Sequence, residues 1–253
     1  MFPVKHLADG RAMLNLGCGT RMHPSWNNLD FSFYALLARR RRLAQLLCAT
    51  GLLSETRRLR LRQMDRMTIH WDLRRGVPFP DDMFDVVYHS HVLEHIERCS
   101  APAFLRECYR VLKPGGTIRV VVPDLDLLVQ NYRASIPDTD EPDLASLQVH
   151  NDAIERLLEQ MVRDEPAGTS GQQAFVRRFE RFVRGDARQA GEVHRWMYDR
   201  YTLRGALRSV GFKEVRDETP LSSRVSDWSS FCLDANADGS VYISGSLYVE
   251  AVK

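Results

Sequence analysis

LNLGCGT, residues 14–20, decides the fold of this chain. It is an apolar run, typical of a strand, that stops at Gly17 and Gly19. Glycine lacks a Cβ and tolerates positive φ, so the backbone after such a strand can turn sharply and pass close to a ligand. A nucleotide-type cofactor is the first hypothesis, and a tight structural turn is the alternative. NAD is disfavoured, because G-x-G-x-x-G counted from Gly17 requires glycine where Met22 stands.

Further strands follow this segment. Four stretches are rich in β-branched and aromatic residues and are bounded by Gly, Pro or Asp, namely 26–30, 67–72, 84–89 and 116–123. A helical pattern over 104–112 separates the last two and ends in the breaker sequence KPGG. Strands and helices in this order predict a parallel sheet with right-handed crossovers.

The order of these motifs resembles the class I S-adenosylmethionine-dependent methyltransferases, most closely their type 11 subgroup. The matching segments are LNLGCG, the acid Asp30, WDLRRGVPFPDDMFDVVYHSHVLEHI at 71–96 and LRECYRVLKPGGTIRVVVPD at 105–124. A weaker match continues through a helix pattern at 201–210, a strand at 212–215 and one or two strands within 241–252. The resemblance implies an α/β, Rossmann-like, doubly wound sheet of seven mostly parallel strands that ends in an antiparallel hairpin.

The resemblance also implies S-adenosylmethionine as the cofactor. Gly17 and Gly19 would pass under its methionine part, and Asp30 would bind the ribose hydroxyls. Asp72, with the backbone of Leu73, would bind the adenine. The other candidates for cofactor contact are Asn15, Cys18 and His89. Each of the two acids could instead cap a turn.

Two positions depart from the family pattern. Asn15 stands where the family often has an acid, and Arg21 stands where it often has a third glycine. An amide at Asn15 can orient the turn by hydrogen bonding, but it cannot attract the cofactor's ammonium group as a carboxylate would.

Histidines are the candidates for catalysis. Methyl transfer from a sulfonium is an in-line displacement, so the protein supplies position and, for a hydroxyl acceptor, a base. Histidine titrates near neutral pH and suits that role. His91 is the first candidate and His89 the second, both at the end of the fourth strand; His194, near Trp196 and Tyr198, is another. His95, within the shared LEH pattern, is interpreted as a structural hydrogen-bonding residue.

No metal is predicted. A zinc site built from His89, His91 and His95 is the alternative, but no cysteine pair with metal-ligand spacing accompanies these histidines. Two nucleic-acid chemistries are also disfavoured. Residues 89–92 read HSHV where amino methylation of DNA bases uses a Pro-Pro-aromatic motif, and no cysteine follows a proline as cytosine C5 methylation requires.

Two insertions interrupt the pattern. The first, at about 31–66, contains Arg39, Arg40, Arg41 and Arg42 beside leucines at near-helical spacing, which predicts basic amphipathic helices. These helices present either a solvated face or a surface for an anionic partner, which would be a membrane leaflet, a phosphate-bearing substrate or RNA. The second, at about 125–190, is predicted to form a helical cap above the carboxyl ends of the strands, or else a surface elaboration.

Composition fits a cytoplasmic protein that could contact a membrane peripherally. The 253 residues, 44% of them hydrophobic, are enough for one domain spanning 1–253. Five cysteines without a C-x-x-C pair indicate reduced thiols, and there is neither an apolar leader nor an apolar run of membrane-spanning length.

The expected activity is O-methylation of a small-molecule or glycan-type acceptor with S-adenosylmethionine. The glycan class comes from the tail SLYVEA at 246–251, which is similar to methyltransferases of bacterial surface-polysaccharide pathways. Two alternatives stay open. One is a catalytically inactive, cofactor-binding scaffold or regulatory protein, and the other is an RNA methyltransferase that uses the arginine-rich insertion.

Overall fold

The computed structural model describes residues 2–40, 44, 46, 55–136, 143–161 and 193–253. Seven strands form one sheet: β1 (Met13–Leu16), β2 (Asn27–Asp30), β3 (Ile69–His70), β4 (Phe84–Ser90), β5 (Leu112–Pro123), β6 (Lys213–Glu218) and β7 (Ser246–Val252). The described helices are α1 (Phe33–Ala38), α2 (Glu55–Gln63), α3 (Ala101–Val111), α4 (Leu125–Ala134), α5 (Leu144–Gln160) and α6 (Arg200–Val210).

The sheet has the predicted topology. Its strand order is β3-β2-β1-β4-β5-β7-β6. Strands β1 to β5 pair in parallel, and β7 is antiparallel to both β5 and β6. This confirms the seven-stranded, mostly parallel sheet with an antiparallel end. The strand order reverses between β1 and β4, and ligands of such sheets bind in the crevice at that point, beyond the carboxyl ends of the strands.

Several element boundaries differ from the prediction. The strand predicted at 67–72 is confined to Ile69–His70, because Asp72 caps a short 3-10 turn at Leu73–Arg75. Strand β5 begins at Leu112 rather than at residue 116. Leu112 pairs with Phe84 while Thr117 pairs with Val86, so the KPGG residues form a bulge within the strand. A single strand, β7, lies within 241–252.

The two faces of the sheet are covered in different ways. On one face, α3 and α6 contribute Leu105 and Leu203 to a core with Val87 of β4. On the other face, the β1–β2 connection contains no helix, although parallel crossovers commonly use one. Instead, the segment between β6 and β7 supplies Trp228 and Phe231, whose rings lie 6.0 and 5.2 Å from that of Trp26.

A buried ionic network fixes that segment to the sheet. The guanidinium of Arg119, on β5, donates to Asp234 and to Glu250, both at 2.7 Å. Asp234 also accepts from the Tyr88 hydroxyl at 2.7 Å and from the Trp228 indole at 3.2 Å. Arg119 and Glu250 are fully buried, so each charge depends on these partners.

Both predicted insertions contain helices. In the first, α1 packs Ala35 and Ala38 against Met64, and Arg39 and Arg40 are exposed. Arg41 and Arg42 lie outside the described residues. In the second, α4 and α5 pack together where Ser135 lies 2.9 Å from His150 Nδ1, and residues 137–142 and 162–190 of the predicted cap are likewise not described. Among the described helices, none is both long and apolar enough to cross a membrane.

Candidate active site

The loop after β1 has the conformation that its glycines allow. Gly17 and Gly19 have φ of +64° and +50°, in the region that glycine adopts most readily. A Cβ at Gly17 would overlap a methyl group of Val92, so this glycine allows close packing of the loop on the segment after β4. A Cβ at Gly19 would meet no atom within 4 Å, so the loop faces open space there.

The Asp30 carboxylate organises this loop. One of its oxygens accepts from the Gly19 N–H at 2.7 Å, and the other accepts from the Ser32 N–H at 2.6 Å. Cys18 is buried beside it, and burial together with the Asp30 charge raises the pKa of the thiol well above its usual value. The Cys18 thiol is therefore neutral, and its predicted contact with the cofactor stays a prediction.

Asn15 orients the loop, as an amide at that position can. Its side chain is buried and donates to the Arg21 carbonyl at 3.0 Å and to Asn28 at 3.2 Å. Arg21, which replaces a family glycine, donates to the carbonyls of Leu233 and Ala235 at 3.3 and 2.6 Å. Arg21 thus links the loop to the segment between β6 and β7.

Asp72 lies after the carboxyl end of β3. It accepts from the backbone of Arg74 at 3.0 Å and pairs with its guanidinium at 2.7 Å. The hydrogen bonds from Arg74 outweigh partial burial and hold the pKa of the Asp72 carboxyl below its usual value. Leu73 starts the capped turn. Both acids thus cap backbone groups, and their roles toward ribose and adenine stay predictions.

The loop and its surroundings fit S-adenosylmethionine. The open space at Gly19 leaves room for a ligand against the backbone, and the ionised Asp30 retains acceptor capacity because each oxygen has more than one lone pair. Beyond Asp30, the Phe31 ring is 42% exposed, which offers an apolar surface to an aromatic base.

His91 follows β4 at the same edge of the sheet. Its Nδ1 lies 3.0 Å from Oε1 of Glu94, outside hydrogen-bond alignment, and its Nε2 lies 3.0 Å from the Ser246 hydroxyl. Its φ of +53° is uncommon for a residue with a Cβ, and such backbone outliers cluster at functional sites. The ring is 22% exposed.

His89 differs sharply from His91. It is fully buried against Phe104, with ring centroids 5.2 Å apart, and neither ring nitrogen has a partner among the described residues. Burial lowers its pKa to about 4 although Glu94 opposes the shift. The structure therefore gives His89 no solvent access, and its predicted contacts with cofactor and acceptor stay untested predictions.

His194 reaches this edge on a segment far along the chain. Arg195 and Trp196 donate backbone N–H groups to the Glu94 carbonyl at 2.6 and 3.1 Å. This brings the His194 ring to 4.9 Å from that of His95. Its neighbour Tyr198 is 4% exposed and belongs to the core. The sequence placed His89, His91 and His95 after the fourth strand and named His194 as a further candidate, but it did not predict that the Glu94 carbonyl anchors the segment of His194.

Part of the chain is similar to known methyltransferases. A family model described as "Methyltransferase domain" matches residues 14–120, from β1 to the middle of β5. A "Probable S-adenosylmethionine-dependent methyltransferase" of Mycolicibacterium smegmatis is 40% identical over 57 residues. That match covers 21% of this chain and 21% of the relative, so the chain spans about a fifth of that protein.

Solved methyltransferases align with most of the chain at low identity. One from Archaeoglobus fulgidus has 14% identity and a TM-score of 0.41, with 96% of this chain and 86% of that chain covered. One from Mesorhizobium loti has 16% identity and a TM-score of 0.41, with 99% and 93% covered. Residues 14–120, about two fifths of the chain, are thus similar to the class I S-adenosylmethionine-dependent methyltransferases, whose cofactor is S-adenosylmethionine.

Proposed function

We propose that this protein transfers the methyl group of S-adenosylmethionine to a hydroxyl of a small-molecule or glycan-type acceptor. The observation that carries the proposal is the position of His91 beside the glycine loop. Val92, the next residue, is in the close packing contact with Gly17. A base at His91 would thus lie near the cofactor's methionine part, where the transferred methyl group is expected.

The cofactor supplies the electrophilic methyl group, and the protein positions it. In this proposal Gly19 leaves space for the methionine part, Asp30 accepts from the ribose hydroxyls, and Phe31 contacts the adenine. Asp72 and the Leu73 backbone bind the adenine at the other end of the cofactor. Because the cofactor carries the reactive bond, fixed placement of the acceptor is the main contribution of the protein.

His91 would take the proton of the acceptor hydroxyl. Nε2 is the nitrogen that receives it, since Nδ1 faces the buried Glu94 carboxylate at 3.0 Å. That carboxylate holds the ring orientation and stabilises the imidazolium that forms, as carboxylates do for other histidine bases. The Ser246 hydroxyl lies 3.0 Å from Nε2 and donates to the Ile243 carbonyl, so an acceptor hydroxyl would have to replace Ser246 beside Nε2 before its proton could move there. His194 is the second candidate base.

The test is a methyl-transfer assay read by mass. The protein is incubated with S-adenosylmethionine and separate panels of hydroxylated small molecules, oligosaccharides and RNA, and products are weighed for the gain of one methyl group. His91→Asn should lower turnover by about 100- to 10,000-fold while cofactor affinity is retained. His6→Asn, at an exposed histidine elsewhere, is the matched control.

Three results would change the proposal. Methylation in the RNA panel alone would favour the RNA alternative. Cofactor binding without a product in any panel would favour the inactive scaffold. Normal turnover by His91→Asn would remove His91 as the base.

The first insertion supports a proposal about partners. Arg39 and Arg40 are exposed at the end of α1, where neighbouring positive charges repel unless an anion compensates them. We expect binding to anionic vesicles that weakens with salt and is reduced in Arg39→Gln/Arg40→Gln. Vesicle sedimentation with anionic and with neutral lipid measures this binding. If the variant and the wild type bind equally, the arginines form only a solvated helix face.

A further inference from the structure

Glu94 has a second set of neighbours besides His91. One ligand atom from each of Glu94, His95 and His194 lies within 4.8 Å of the others. Glu94 and His95 come from the 3-10 turn at Leu93–His95, directly after β4. His194 comes from the segment that the Glu94 carbonyl anchors by accepting two backbone N–H groups. Two distant parts of the chain thus meet at this cluster.

The Glu94 carboxylate is buried without adequate hydrogen bonding. Its side chain has no exposed surface, and neither oxygen has an aligned donor among the described residues. His91 Nδ1 and His95 Nε2 lie 3.0 and 4.0 Å from Oε1. A buried carboxylate of this kind requires a cationic partner.

A hydrogen bond through one ring nitrogen orients His194. Its Nδ1 lies 2.8 Å from the Gln160 carbonyl oxygen. A carbonyl can only accept, so Nδ1 carries the hydrogen and Nε2 of the neutral ring has the lone pair. Metal-binding histidines are commonly oriented in this way, by donating the other ring N–H to a carbonyl or carboxylate.

We propose that Glu94, His95 and His194 bind one divalent first-row transition-metal cation through two imidazole nitrogens and one carboxylate oxygen. This ligand set suits Zn²⁺ and related ions better than Mg²⁺ and leaves a coordination position for an exogenous ligand. Neighbouring ligands of tetrahedral zinc lie about 3.4 Å apart, so a closure of about 1 Å by side-chain rotation completes the site. His95 is 21% exposed, which provides access from solvent.

The site differs from the zinc alternative that the sequence left open. His89 packs against Phe104 and is not part of the cluster, whereas Glu94 and His194 are. The inference does not depend on methyl transfer, because cation binding is measured directly. The cluster shares Glu94 with the proposed base, because Oε1 of Glu94 also lies 3.0 Å from His91 Nδ1.

Metal titration of the full chain tests the inference. Protein stripped with a chelator is titrated with Zn²⁺ by calorimetry and with Co²⁺ by visible absorption, which reports the coordination of that ion. We expect one equivalent per chain, and affinity lower by about 100-fold or more in Glu94→Gln and in His194→Asn. His6→Asn is the matched control, because His6 Nδ1 also faces a backbone carbonyl, that of Gly10 at 3.2 Å, outside the cluster.

Separate outcomes decide the two proposals. His91→Asn should lower the rate of methyl transfer by about 100- to 10,000-fold yet still bind one equivalent of metal. No stoichiometric Zn²⁺ or Co²⁺ binding by the wild-type chain, or binding of equal affinity in His194→Asn, would overturn the metal site and leave the methyl-transfer proposal intact. Melting of each metal-free variant identifies misfolding. If Glu94→Gln does not fold, the partly exposed His194→Asn carries the test.

Discussion

At the residue scale, the burial of His89 makes the stability of the fold depend on pH. Its pKa is about 4 in the folded protein and near 6.5 when unfolded. Between these values the unfolded chain binds a proton that the folded chain does not, so stability falls as pH falls through this window. Above pH 6.5 the ring is neutral in both states and contributes no pH dependence. The pH-dependent part of the cost of burying this histidine is therefore confined to acidic conditions.

We predict that His89→Leu removes this dependence. Relative to the variant, the wild type should lose about 3 kcal/mol of unfolding free energy between pH 7 and pH 4, at about 1.4 kcal/mol per pKa unit. Urea unfolding of both proteins at the two pH values measures the difference, with His6→Leu as an exposed control. A difference between wild type and His89→Leu that does not change with pH would contradict the burial argument.

Alanine substitutions at three glycines with positive φ distinguish the cost of backbone strain from the loss of ligand contact. Gly10, Gly17 and Gly19 have φ of +87°, +64° and +50°, so alanine at each carries a backbone cost of about 1–2 kcal/mol. Gly17→Ala adds the overlap with Val92 and should lose a further 1–3 kcal/mol or so. The three substitutions thus carry a similar backbone strain, but the added methyl group has different neighbours at each position.

Gly19→Ala should weaken cofactor binding by at least about tenfold, because its methyl group would enter the space proposed for the ligand; a tenfold loss is about 1.4 kcal/mol. Gly10→Ala, equally open but remote in the chain from the loop, should leave binding unchanged. Thermal melting and calorimetry of the variants provide the two readouts. Indistinguishable cofactor affinities for the two would place the ligand elsewhere.

At the element scale, the buried network of Arg119 holds the β6–β7 segment on the sheet. Arg119→Met leaves Asp234 and Glu250 buried without their cation, and we expect a loss of about 3–5 kcal/mol of unfolding free energy. Arg204→Met is the control, because its pair with Asp217 is about a third exposed and should be worth under about 1 kcal/mol. Equal losses in denaturant unfolding would mean that the network contributes no more than a surface pair.

Local patterns predicted the elements and missed the long-range contacts. The strand before Gly17 and the C-cap of α6 at Gly211, with φ of +114°, follow from neighbouring residues, and both are found. The hydrogen bond between Arg119 and Asp234 joins residues that are 115 positions apart in the chain. No periodic pattern in the sequence predicts such a pairing. Arg21 was recognised as a departure from the family pattern, but its partners after β6 could not be anticipated.

At the scale of the whole molecule, the fold gathers the candidate site at one edge. The carboxyl ends of β1, β2, β3 and β4 lead to Gly17, Phe31, Trp71 and His91, respectively. The parallel pairing of these strands brings the four connections to the same side of the sheet. The sequence predicted this edge because each strand ends in a glycine, an acid or a histidine. It could not separate the buried His89 from the accessible His91, since that depends on packing by α3.

Calorimetric titration with S-adenosylmethionine and its demethylated product tests the central claim, that the loop after β1 and Asp30 hold this cofactor. We predict binding of one equivalent, weakened by about 1.5–3 kcal/mol in Asp30→Ala because a charge-assisted hydrogen bond is lost. Asp9→Ala, at an exposed acid paired with Arg11, should bind as the wild type does. No detectable binding by the wild-type chain at millimolar cofactor would contradict the account.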